Sequence, residues 1–243
     1  MLNQPISSIA AAAGGGGERG SAPTRFDAFV DAAFAFSVSL LVIAGNEVPD
    51  SVPKLLRALQ GIPAFAASFG MVVLFWSAHD TWSRRYGLQD NAARRLGLLL
   101  VFLVLVFVYP LKMMFGTFFA WISQGVLDSR FSIETVFDLQ VMFYTYGVAY
   151  GLLGAVMALL HAHAWRQRAS LALTPVETAA ARREIWRWSF LPVFSALSCL
   201  CAALLPARPA AWQLGIPGLV YFAIGAANRL LDRFRPDPGS ARS

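Results

Sequence analysis

The sequence predicts an all-α membrane protein with six transmembrane helices per subunit and both termini in the cytoplasm. Three observations carry this expectation. The 243 residues are 57% hydrophobic but only 14% charged, about half the charge a soluble domain normally holds. Six stretches are long and apolar enough to cross a bilayer, which takes about 20 residues each. The basic residues, finally, alternate in density from loop to loop.

The spans are read at about 26–44, 62–82, 96–114, 136–160, 188–205 and 212–231. Pro110 and Pro192 fall inside two of them and are tolerated, because neighbouring helices re-satisfy the freed backbone groups. Residues 51–59 read as a short amphipathic helix lying at the interface, and Gln60-Gly61-Ile62-Pro63 as a loop running into the second span. Residues 1–23 have no basic n-region followed by a leucine-type core, so they read as a disordered tail rather than a cleaved signal. Residues 24–232 form the membrane domain, and 233–243 a polar C-terminal tail.

Basic residues set the topology. The N-terminal flank, the loops after the second and fourth spans and the C-terminal end together hold 15 of the 20 Lys and Arg. The alternate loops hold the other five: Lys54, Arg57, Lys112, Arg130 and Arg208. Positive-inside sorting then places both termini in the cytoplasm, and only an even number of spans keeps the alternation. The net charge of +6 belongs to these loops rather than to a nucleic-acid interface, so no nucleic-acid partner is expected. Cys199 and Cys201, at i,i+2 in an apolar run, suit neither a disulfide framework nor a zinc site, and no metal or other cofactor is called for.

Polar groups inside spans mark the candidate site, because a buried carboxylate is costly and faces protein or water. Asp27 and Asp31 lie at i,i+4 in the first span, followed by Ser37 and Ser39. Asp27 reads as a helix cap at headgroup level. Arg25, Phe29, Ala32, Phe36, Leu40 and Ile43 recur at three- and four-residue intervals and form one stripe; Asp31 falls well off it. The second span offers Asp31 a partner in His79, with Trp76 one turn earlier, so Asp31–His79 is the expected buried pair. The Ala/Ser-rich first helix belongs inside an assembly, since small residues let helices approach closely.

These residues carry a family resemblance. The run from Arg25 through Phe26-Asp27-Ala28-Phe29-Val30-Asp31 to Ser39-Leu40-Leu41 resembles the first-helix signature of the transmembrane protein 175 family of potassium channels: an Arg, three residues, then Phe-Ser-Asp, then an apolar run with a Thr before paired leucines. Phe75-Trp76-Ser77-Ala78-His79 is similar to the family's Trp-x-x-His, and Tyr109-Pro110-Leu111 to its Pro near the end of the third helix. Three positions depart from the pattern: Val30 replaces the Ser, Phe36 an isoleucine at the constriction, and Ser39 the Thr. The last three helices match only in hydropathy and topology.

The resemblance implies a potassium-permeable cation channel, a multi-pass protein of the bacterial inner membrane. It implies a homotetramer in which each subunit lends its first helix to a central pore. Phe36, Leu40 and Ile43 would form an apolar constriction, with Ser37 and Ser39 as pore-lining hydroxyls and Arg25, Asp31, His79 and Trp76 as a structural polar network. Potassium would be the permeant ion, not a cofactor. Two other readings stand beside it. One is a proton- or ion-coupled secondary transporter using Asp31 and His79 as a relay; no repeat between the halves favours it. The other is an enzyme built on His161-x-His163 with Arg166, but i,i+2 histidines on a helix point in different directions, so no enzymatic activity is expected.

Overall fold

The computed structural model describes residues 19–20, 23–43, 49–127, 129, 131–210 and 212–234. Most of the two tails expected at 1–23 and 233–243 therefore lies outside the described residues. The described residues are helical, without strands: α1 (Arg25–Ile43), α2 (Val52–Gln60), α3 (Ile62–Tyr86), α4 (Asn91–Ile122), α5 (Val136–Arg166), α6 (Pro175–Ala203), α7 (Ile216–Leu219) and α8 (Ala223–Phe234). Short 3-10 turns flank α7, so the segment Gln213–Arg233 is interrupted rather than a straight rod. With it, six segments are long and apolar enough to span a membrane. α2 is amphipathic, with Val52, Leu55, Leu56 and Leu59 uncovered, as its sequence pattern requires.

Caps explain where the helices start. Asp90 accepts from the Ala93 amide at α4. At α5 the Thr135 hydroxyl accepts from the Asp138 amide, while Asp138 accepts from the Thr135 amide. Thr174 and Glu177 form the same reciprocal box before α6, with Pro175 at its first position. The arginine-rich composition of 166–187 predicts a loop leading to a span at 188. The box instead starts α6 at Pro175, and its first turns carry Arg182, Arg183, Glu184 and Arg187. At 29 residues α6 is about 43 Å long against a hydrocarbon core of about 30 Å, so these charged turns stand outside the hydrocarbon.

α5 is the centre of the body. Gly147, Gly151 and Gly154 line one side of it and lie against α6. A Cβ at Gly154 would come within 2.3 Å of the Leu191 Cβ, and one at Gly151 within 3.4 Å of the Pro192 Cα. Phe75 from α3, Phe107 from α4 and Tyr146 and Tyr150 from α5 fill the space between the helices with ring contacts, joined by Tyr221. α1 lies at one side of this body, packed on α3 and α4.

One end of the molecule gathers the start of α1, the end of α3, the starts of α4 and α6 and the end of α8. Arg19, in the stretch expected to be disordered, is held there by a two-pronged contact to Glu177, at 2.7 and 3.2 Å, and donates to the Leu171 carbonyl. The Gly20 amide donates to the Arg84 carbonyl at 2.9 Å. The approach is close enough that a Cβ on Gly20 would sit 2.7 Å from the Ser83 carbonyl oxygen. Arg187 reaches Asp232 of α8 at the same end.

Candidate functional site

α1 is covered on one side only. Val30, Phe34, Ser37 and Leu41 repeat at three- and four-residue spacing and are buried against the rest of the chain. The opposite side carries Phe29, Phe36 and Ile43, which are 52%, 55% and 68% exposed, with Ser39 exposed and Leu40 half-buried beside them. The stripe read from the sequence is therefore the side of α1 that its own chain leaves open.

Ser37 does not belong to that side. It is 1% exposed and its hydroxyl donates to the Ala33 carbonyl, so it faces its own subunit and leaves the candidate pore-lining set. The reason is register: Ser37 falls three residues after Phe34 and four before Leu41, in the middle of the buried stripe. Ser39, two residues on, points the other way and donates to the Ala35 carbonyl.

The polar network is divided differently from the expected Asp31–His79 pair. Asp31 stays exposed and accepts from the Trp76 indole N–H at 2.8 Å. Asp31 and His79 make no hydrogen bond with each other. His79 is buried one turn along α3, tilted against Trp82, and its ring lies near Gly97 of α4, where Phe26 also packs. Trp76 wins because its long indole reaches across to the flank of α1 that carries Asp31, whereas the His79 ring is turned into the core. Arg25 is exposed and makes no ion pair among the described residues.

Asp27 has a larger role than a simple cap. It accepts from the amide and hydroxyl of Thr24, whose hydroxyl in turn accepts from the Asp27 amide. Its other oxygen accepts from the Ser83 hydroxyl of α3 at 2.7 Å. One carboxylate thus closes a capping box and ties the start of α1 to the end of α3. At the far end of α1, Lys112 of α4 donates to the Leu41 carbonyl at 3.2 Å, satisfying one of the acceptors a helix end leaves open. The Thr24-x-x-Asp27 pattern was a readable signal for the box; Ser83 and Lys112 were not readable, because each depends on how neighbouring helices are set.

The remaining candidates separate. His163 lies 2.7 Å from Asp90, and His161 packs edge-on against Tyr86, so the i,i+2 histidines serve different surroundings. Asp90 stands outside the spans. Partial burial pushes its carboxyl up, but the Ala93 amide and the His163 ring outweigh that and hold it below the ordinary range. Cys199 and Cys201 are free thiols, and among the described residues no group of three His, Cys, Asp or Glu is placed to hold a metal.

Comparison with known proteins agrees with this frame. The family described as "Endosomal/lysosomal potassium channel TMEM175" matches residues 25–110, the stretch that holds α1, α3 and most of α4. A protein of Marivirga tractuosa named "Potassium channel" is 29% identical over 173 residues, 69% of each chain. The crystal structure of a variant of the potassium channel MtTMEM175, in complex with a Nanobody-MBP fusion protein, superposes with a TM-score of 0.76. It is 24% identical and covers 89% of this chain and 94% of that one. A lysosomal potassium-selective channel TMEM175 homolog from Chamaesiphon Minutus superposes at 0.53, with 18% identity over 84% of this chain and 96% of the other. With the Arg-to-Leu signature on α1 and the Trp-x-x-His on α3, residues 25–110 are similar to the TMEM175 family, and the chain shares the six-helix fold of these solved channels.

Proposed function

We propose that this chain is a potassium-permeable cation channel of the bacterial inner membrane, formed by four copies with α1 innermost. The observation that carries the reading is the one-sided covering of α1. Its apolar stripe is open in the single chain, and a soluble or lipid-facing explanation does not account for the small residues beside it, Ala28, Ala32 and Ala35. Each chain holds one such stripe, so a pore lined by it requires repetition around an axis. The number four follows from the family resemblance. The family's members are channels rather than enzymes.

In such an assembly Phe36, Leu40 and Ile43 form successive apolar rings. A narrow apolar ring empties of water when closed and blocks ions without any charged barrier. Conduction then requires the Phe36 rings to swing aside or α1 to turn about its axis. The Ser39 hydroxyls lie beside this path and offer ions an oxygen contact. The Asp31–Trp76 bond lies on the flank of α1 and ties it to α3, a positioning role rather than an ion-binding one.

The test is flux from liposomes holding the purified protein, with potassium and sodium measured side by side. A channel dissipates a potassium gradient with no second ion. Uptake that appears only with a proton or sodium gradient would replace this reading with the coupled transporter.

A further inference from the structure

A groove of about 520 Å³ lies between α3, α5 and α6, away from the open side of α1. Along α3 it runs from Gly70 through Leu74 and Ser77 to Arg85, with His161, Glu184 and Trp188 opposite. Its two halves differ in chemistry. Near Gly70 the wall is apolar and open: a Cβ added at Gly70 would meet nothing within 4 Å. The other half holds one cation and one anion, Arg85 and Glu184. Arg85 lies 6.0 Å from the centre of the Tyr86 ring and makes no ion pair among the described residues. Glu184 accepts from Arg187, which is also bonded to Asp232.

Two hydrogen-bonding groups in that wall are unsatisfied. Trp82 and His161 are 3% and 5% exposed, and the Trp82 Nε1 and His161 Nδ1 have no partner among the described residues. Both rings line the polar half of the groove, beside Arg85 and Glu184. Length identifies the kind of occupant. The fifteen helical steps from Gly70 to Arg85 rise about 22 Å, and one leaflet with its headgroups is half of a bilayer about 40–45 Å thick. The groove is one lipid long, apolar towards the middle of the membrane and charged at its edge.

We propose that this groove binds a phospholipid with a phosphoethanolamine headgroup, its phosphate on Arg85, its ammonium on Glu184 and an acyl chain along Gly70 and Leu74. A zwitterionic headgroup matches the pair of opposite charges. A purely anionic headgroup would meet the Glu184 carboxylate, and a quaternary ammonium could not donate a hydrogen bond to it. The site is independent of which ion passes along α1.

Native mass spectrometry tests this on the purified protein incubated with equal concentrations of phosphatidylethanolamine, phosphatidylcholine and phosphatidylglycerol. The wild type should retain phosphatidylethanolamine preferentially. Arg85→Gln should reduce that retention about tenfold, the loss of one charge-assisted contact. Glu184→Gln should keep phospholipid binding but lose the preference for the primary ammonium. Gly70→Phe should block the chain half and lower retention with an unchanged melting temperature, which keeps the proposal open to refutation if Arg85→Gln fails to fold. Glycerophosphoethanolamine, which lacks the chains, should compete poorly. Three outcomes overturn the proposal: no lipid retained by the wild type, as when a second copy covers the groove; equal retention by Gly70→Phe and by a folded Arg85→Gln; or competition by the chainless headgroup as strong as by the lipid.

Discussion

Phe36 is the residue whose replacement separates the readings of α1 most sharply. It is 55% exposed in the single chain, so removing its ring opens no enclosed cavity there. Phe36→Ala should therefore raise basal potassium conductance and weaken discrimination against sodium in liposome flux, with little change in the melting temperature of the subunit. Phe36→Asn should keep the ring wet and favour the conducting state. A lower melting temperature with unchanged ion preference would make Phe36 packing between helices instead. Ser37→Ala provides the contrast: its hydroxyl bonds its own helix and faces the subunit core, so side-by-side flux should show the wild-type ion preference. Asp31→Asn keeps an acceptor for the Trp76 N–H but removes the charge that strengthens the bond. It should reduce the assembled fraction on size-exclusion chromatography more than it alters selectivity.

Packing between elements is governed by the glycine side of α5. A methyl on Gly154 would overlap Leu191, so Gly154→Ala should cost about 1–3 kcal/mol and lower the melting temperature, whereas Gly70→Ala on the open wall of α3 should be neutral. Much at this scale was readable in the sequence. Six apolar stretches, the α1 stripe and the amphipathic α2 all follow from period and length alone. The start of α6 was also legible in Thr174-Pro175-Val176-Glu177, a box and a first-turn proline that outweigh the arginines after them. Other features were not legible. Whether Trp76 or His79 meets Asp31 depends on the rotation of α3 about its axis, and both residues are one turn apart on the same helix. Ser37 and Ser39 look alike in composition but lie on opposite sides of α1, and only the position of Val30, Phe34 and Leu41 against the body decides which is buried.

At the scale of the whole molecule, the contacts at the basic end join segments distant in sequence. Glu177, in the charged turns of α6 outside the hydrocarbon, is held by the Arg19 guanidinium at about 2, well below the ordinary 4.5. A carboxyl depressed by folding stabilises the fold above its unfolded value and loses that contribution as pH falls through the folded one. The difference in melting temperature between wild type and Arg19→Gln should accordingly be full at neutral pH and close between about pH 4.5 and 2. A difference that is constant across that window would separate the Arg19 contact from the Glu177 charge. The same contacts have a mechanical consequence. α1 is pinned near its start by the Gly20 amide on Arg84 and by Asp27 on Ser83, and at its finish by Lys112 on the Leu41 carbonyl. A rod held at both ends resists leaning but still allows torsion along its length. Spin labels at the two ends of α1 should therefore keep their separations from α3 and α4 between closed and conducting states, while a label at Ala35 changes its distance to its copies. Lys112→Met, by releasing one end, should convert twisting into tilting and broaden the distances measured at that end.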